Sequence, residues 1–123
     1  MGSSQMIQRM PLNNRTVAMD ITDWRKKIDE IDRRLVELLN ERARCATEIG
    51  RIKLLNGKPV QEISREEEVL RNVVELNRGP LGENALREIF KKIVEEVRQM
   101  QQKLIQSEQD SLQPLPTNRD SKK

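Results

Sequence analysis

The sequence predicts an all-α fold of three helices, the first of them too long for one chain to cover. Three observations lead there. From Ile21 to Ile52 apolar residues recur at alternating steps of three and four, through Trp24, Ile28, Ile31, Leu35, Leu38, Cys45 and Ile49, with one charged member, Arg42. Such spacing is an a/d heptad seam, and no Pro or Gly interrupts it before Gly50. Two breaks, Asn56-Gly57-Lys58-Pro59 and Arg78-Gly79-Pro80-Leu81-Gly82, divide the chain after it. No segment alternates with the two-residue period of a strand.

The elements follow in order. Residues 1–19 are polar and without periodicity and are expected to be disordered. The long helix, residues 23–55, takes its N-cap from Asp20 or Thr22. At 1.5 Å per residue it would measure about 50 Å. A globule of this chain length has a radius of gyration of about 14 Å. The outer half of the helix therefore needs another chain, and an obligate homodimer is expected. Gly57 suits a C-cap and Pro59 cannot continue the helix. Ser64-Arg65-Glu66-Glu67 reads as a capping box opening a second helix, with Val69, Leu70, Val73 and Val74 turned inward. A third helix over residues 83–105 would bury Leu86, Ile89, Phe90, Ile93, Val94, Val97, Met100 and Leu104. The folded domain is residues 20–106. The tail, residues 107–123 with Gln113-Pro114-Leu115-Pro116, is expected to be disordered.

Composition narrows the chemistry. At 35% hydrophobic and 35% charged, the 123 residues suit one small helical domain. Basic residues outnumber acidic ones by 23 to 20 and the signs are interspersed, so the pI near 9.2 implies no nucleic-acid partner. One Trp, one Phe and no Tyr also leave little for base stacking. Nothing resembles a signal peptide or a membrane span, so the cytoplasm is expected and no membrane partner. Cys45, the single cysteine, is expected to be a reduced packing residue on the seam. The chain has no His, which removes the usual neutral-pH acid–base group and the commonest metal ligand. One Cys cannot build a zinc site. Phosphate loops, dinucleotide fingerprints and nucleophile elbows are absent. No metal and no cofactor are expected. An enzyme of this composition would place charges and hydrogen bonds around a substrate that carries its own reactivity.

Arg42 marks where such a site would lie. A guanidinium on an apolar seam calls for an anion, because burying it alone costs several kcal/mol. A polar residue that fixes coiled-coil register is the plainer reading of the same position. The step from Arg42 to Lys53 advances about 1100°, about 20° from three full turns, and spans about 16 Å. The two side chains could clamp a small anion over Ala46 and Ile49. Arg25 is about 25 Å away along the same helix and on a different face. Antiparallel pairing about Leu38 would instead bring it near Lys53 of the partner. Glu66 and Gln101 are two further polar residues on otherwise apolar stripes, and each also suits a structural role near a helix end.

Together these residues resemble a family. The runs Trp24-Arg25-Lys26-Lys27-Ile28-Asp29-Glu30-Ile31-Asp32, Leu38-Leu39-Asn40-Glu41-Arg42 and Glu48-Ile49-Gly50-Arg51-Ile52-Lys53 are similar to the long first helix of the all-helical (class II) chorismate mutases. Pro59-Val60, Arg65-Glu66 and the helix from Phe90 to Gln101 extend the resemblance over residues 20–105. It implies an intertwined homodimer that rearranges chorismate to prephenate, towards phenylalanine and tyrosine, without metal, cofactor or covalent intermediate. By the family pattern, Arg42 and the partner's Arg25 would hold the two carboxylates. Lys53 and Gln101 would donate to the ether oxygen, and Glu66 would accept from the ring hydroxyl. Arg65, Glu62 and Val97 match further substrate-binding positions.

The sequence departs from that pattern at two of these positions. Val97 stands where some members carry Ser, and Glu62 where Asp is frequent, which alters the expected contacts rather than the expected reaction. Relatives are often fused to other shikimate-pathway enzymes; this chain is expected to stand free and to be able to dock onto one. Isochorismate pyruvate lyase shares the fold, but Arg65-Glu66 resembles the mutase pattern more closely. A non-catalytic regulatory partner is the remaining alternative, and the retention of Arg25, Arg42, Lys53, Glu66 and Gln101 speaks against it.

Overall fold

A computed structural model describes residues 18–112, and the chain divides after Glu41 into two units. Among the described residues there are three helices and no strand: α1 (Ile21–Leu55), α2 (Ile63–Leu76) and α3 (Glu83–Leu112). None is long and apolar enough to cross a membrane.

The first unit contributes residues 21–41 of α1. Asp20 caps it: its carboxylate accepts from the Asp23 N–H at 2.9 Å, and the Asp23 carboxylate accepts from the Asp20 N–H at 3.2 Å. Two orphan donors are thereby satisfied reciprocally, and the helix starts at Ile21, two residues earlier than expected. The seam here is uncovered. Trp24, Ile28, Leu35 and Leu38 are all about half exposed, Leu38 at 59%.

In the second unit α1 ends as the glycine demanded. Gly57 adopts a φ of +66°, Lys58 donates to the Lys53 carbonyl at 2.8 Å and Gly57 to that of Leu54 at 3.1 Å. This is a Schellman motif. The start of α2 corrects the expected capping box. Glu62, extended at φ −135°, is the N-cap and makes no side-chain cap, while Ser64 lies inside the helix. The Glu62 carboxylate is drawn instead to Lys53 at 3.2 Å. Asn77 closes α2, donating from Nδ2 to the Leu81 carbonyl at 2.8 Å and accepting from the Gly79 N–H at 3.0 Å.

Helix α3 runs to Leu112 rather than to about residue 105. Between Glu83 and Pro114 the sequence holds no Gly or Pro, and Glu108 has a cross-helix partner. Arg51 donates to it from Nε and NH2 at 3.0 and 2.8 Å, and from NH1 to Glu48 at 2.6 Å. The hydrogen bonds Arg51 donates to Glu108, more than the charge of that carboxylate, raise the Arg51 pKa above the ordinary arginine value. Gln113-Pro114-Leu115-Pro116 and residues 1–17 lie outside the described residues.

Helix α2 packs on α3, and the end of α1 touches α3 through Gly50, Gln101 and Ile105. These three are the buried residues of the described chain. The expected inner faces are therefore incomplete. Val69, Leu70, Val73 and Val74, with Leu86, Phe90, Ile93, Val94, Val97 and Met100, are half-buried, while Ile89 and Leu104 are exposed. Cys45 is exposed rather than packed. A layer of helices buries one face per contact, and in the second unit the described residues leave the other faces half-buried or exposed.

Candidate active site

One cavity of about 250 Å³ opens among the three helices of the second unit. The apolar spacing of α1 puts Arg42, Cys45, Ala46, Ile49 and Lys53 on its wall. The turn into α2 adds Val60, Glu62, Arg65, Glu66 and Val69, and one stripe of α3 adds Val94, Val97, Arg98 and Gln101. Of the residues singled out in the sequence, Arg42, Lys53, Glu62, Arg65, Glu66, Val97 and Gln101 meet here. Arg25, in the other unit, does not line this cavity.

Lys53 is the end of a rigid device. Its side chain is 20% exposed, donates to the Val60 carbonyl at 3.1 Å and pairs with Glu62 at 3.2 Å. An ammonium carries three donors, so two are anchored and one remains. Gln101 is built likewise. Buried, it donates from Nε2 to the Ala46 carbonyl, which leaves its second N–H unspent. The close approach depends on Gly50, where a Cβ would stand 2.9 Å from Ile105 Cδ1 and 3.3 Å from Gln101 Nε2.

The charged groups are disposed unevenly. Glu66 accepts from Arg98 NH1 through Oε2 at 2.8 Å, both side chains being about three-quarters buried. Arg65 turns along its own helix to Glu68 at 2.9 Å. Half-buried Arg42 has no carboxylate within ion-pair distance among the described residues. Four cations (Arg42, Lys53, Arg65, Arg98) thus face two carboxylates (Glu62, Glu66). A small anion fits that excess.

Sequence reasoning passed over Arg98 and gave Gly50 no packing role. Arg98 sits four residues after Val94 and three before Gln101, a charge on an apolar stripe of the kind that exposed Arg42. Gly50 is a glycine inside an unbroken helix, which signals a close backbone approach.

Residues 24–102 match the family described as chorismate mutase type II. Among curated relatives, the bifunctional chorismate mutase/prephenate dehydratase of Stutzerimonas stutzeri is 35% identical over 85 residues, 65% of this chain and 23% of that protein. Its counterpart in Escherichia coli K12 is 34% identical over 91 residues, 73% of this chain and 24% of that protein. The chain thus spans about a quarter of the length of the curated relatives it matches. Among solved structures, the form II chorismate mutase of Thermus thermophilus superposes with a TM-score of 0.65 at 34% identity, covering 67% of this chain and 93% of that one. Form I of the same enzyme gives 0.62 at 36% identity, covering 63% and 96%. The chain belongs to the chorismate mutase type II family and carries a domain of that all-helical class.

Proposed function

We propose that this chain rearranges chorismate to prephenate, and that it does so as a homodimer whose two sites each take Arg25 from the partner. One observation carries the reading: Arg42, Lys53, Glu62, Arg65, Glu66, Val97 and Gln101 line a single cavity with an excess of positive charge. Chorismate is a dianion, and its rearrangement is unimolecular: the ether C–O bond breaks as a C–C bond forms. The protein's task is to hold the compact conformer and to stabilise charge growing on the ether oxygen.

Arg42, with no carboxylate of its own, takes one substrate carboxylate in a charge-assisted pair. Arg25 of the partner takes the other. The remaining N–H groups of Lys53 and Gln101 serve the ether oxygen. Both are held in place by protein acceptors, so they need no reorganisation when the C–O bond lengthens. Glu66 accepts from the ring hydroxyl through Oε1, the oxygen Arg98 leaves open. Val97 offers a methyl wall where a hydroxyl would have donated, and Glu62 acts through Lys53.

The dimer is supported by the apolar residues that stand exposed among the described ones. Trp24, Ile28, Ile31, Leu35, Leu38, Ile49 and Ile52 belong to the heptad seam of α1, and each is at least 42% exposed. A second copy of the same seam is the matching surface, since a/d residues pack against a/d residues. The relatives that join mutase to prephenate dehydratase in one chain support docking onto an enzyme that consumes the product. A biosynthetic substrate of this kind supports a cytoplasmic setting.

The test is chorismate consumption by the purified chain, with prephenate identified as product and isochorismate run in parallel. Turnover of chorismate by wild type, lost in Arg42→Ala while the helical signal is kept, is the expected result. Pyruvate release from isochorismate, or no turnover of either substrate by a well-folded protein, would overturn it.

A further inference from the structure

The ion pair between Arg98 and Glu66 does more than tie α3 to α2. It stands between two cavities, the one of about 250 Å³ described above and another of about 330 Å³, and both residues line both. The floor of the second cavity is Ile63, Leu70 and Val94, with Glu67, Lys91 and Glu95 at its rim. Glu66 therefore has two open sides towards which its carboxylate could swing. Glu62, in the preceding turn, is committed to Lys53, and Arg65 to Glu68. Among the described residues only Arg98 donates to the Glu66 carboxylate, and it does so to one oxygen, leaving Oε1 without a donor.

We propose that Arg98 is a positioning residue for the mutase reaction: by holding Oε2 it keeps Glu66 turned towards the smaller cavity, with Oε1 presented to the substrate's ring hydroxyl. This rests on the mutase reading and assigns a role to a residue outside the set matched by the family pattern. The pair is three-quarters buried, where a charge-assisted bond is less screened than at the surface. A carboxylate released from it faces Lys91 across the second cavity and Lys53 across the first, and either would misdirect it. Because the hydroxyl contact is present before and during the rearrangement, losing its geometry weakens ground state and transition state together.

The experiment is a double-mutant cycle on the full chain with chorismate, using Arg98→Met, Glu66→Gln and the double variant, with Arg98→Lys as rescue. Arg98→Met should raise KM on the order of ten- to a hundredfold, since small misplacements of a binding group cost that much, and should change kcat less. Arg98→Lys should recover part of the loss. In the Glu66→Gln background Arg98→Met should cost little more, because the group it positions is already altered. Independent, multiplying losses with a matching fall in Tm would overturn the proposal in favour of a packing role, as would wild-type KM in Arg98→Met. An inactive wild type would overturn the mutase reading and this proposal with it, whereas an active wild type with indifferent Arg98 variants would remove this proposal alone.

Discussion

Gly50 of α1 is the residue that lets Gln101 of α3 reach the Ala46 carbonyl: a Cβ there would sit 3.3 Å from Gln101 Nε2 and 2.9 Å from Ile105 Cδ1. Gly50→Ala sets two effects against each other. Alanine gains about 1 kcal/mol of helix propensity over glycine. Overpacking against a buried neighbour costs about 1–3 kcal/mol, and Ile105 is among the few buried side chains available to be overpacked. The atoms in the way, Ile105 Cδ1 and Gln101 Nε2, are the free ends of flexible side chains, so the two effects nearly offset and the urea midpoint should move little. Activity should fall further than stability does, because Gln101 is displaced from its acceptor. A variant as active as wild type would sink this account.

The bond from Gln101 to a carbonyl also fixes what can replace it. The Ala46 carbonyl only accepts, so an ionised carboxylate at position 101 would face an acceptor with an acceptor. Gln101→Glu should therefore be inactive when ionised and regain part of its activity when protonated, since the carboxylic acid supplies one O–H donor where the amide supplied two. Burial disfavours the charged form and raises the pKa of the new carboxyl. The sign follows: activity is present below that pKa and is lost as pH rises through it. The kcat/KM profile of the variant, set against that of wild type over the same range, is the check. A variant with equal activity across that range would contradict the placement.

Some of this arrangement was legible in the sequence because it lies on one helix. Arg42 and Lys53 share a wall of the cavity through the turn arithmetic of α1 alone, and Asp20 capped that helix as its residue type suggested. What was not legible depends on residues far apart in the chain. Arg98 finds Glu66 across 32 positions, and no local pattern announces the pair. Ser64 looked like a cap because Glu67 follows it by three, but the start of α2 is set by the extended stretch before it and by the hold of Lys53 on Glu62. The last turns of α3 owe their order to Arg51 meeting Glu108, 57 positions away. The apolar faces were read correctly as patterns and overestimated as cores, since periodicity says which side is apolar and not whether one chain can cover it.

Lys53 and Glu62 should separate binding from chemistry. Lys53→Ala removes a donor to the ether oxygen, and loss of one such donor costs about a hundredfold or more in kcat. It also leaves the Glu62 carboxylate unpaired beside a dianionic substrate, which should raise KM. Adding Glu62→Ala removes that repulsion. The double variant should therefore recover KM while kcat stays low. Because Glu62 is 56% exposed, solvent screens the pair and it should add little to stability, so the melting temperature should barely move. Recovery of kcat in the double variant would show that Lys53 acts only through Glu62.

Arg25 can be tested without any knowledge of the dimer's geometry. Arg25 is not among the described residues that line the cavity holding Arg42. If each site takes Arg42 from one chain and Arg25 from the other, Arg25→Ala and Arg42→Ala homodimers are both inactive for different reasons. After unfolding and refolding an equal mixture, half the dimers are hybrids. In a hybrid the Arg25→Ala chain keeps its own Arg42 and receives an intact Arg25, whereas the opposite site lacks both. About a quarter of all sites should then be active if assembly is random and two-fold. Activity near that fraction, appearing only on co-refolding and not on simple mixing of preformed proteins, is the expected result. No activity from verified hybrids would mean that each site is completed within its own chain, and Arg25 would leave the site altogether.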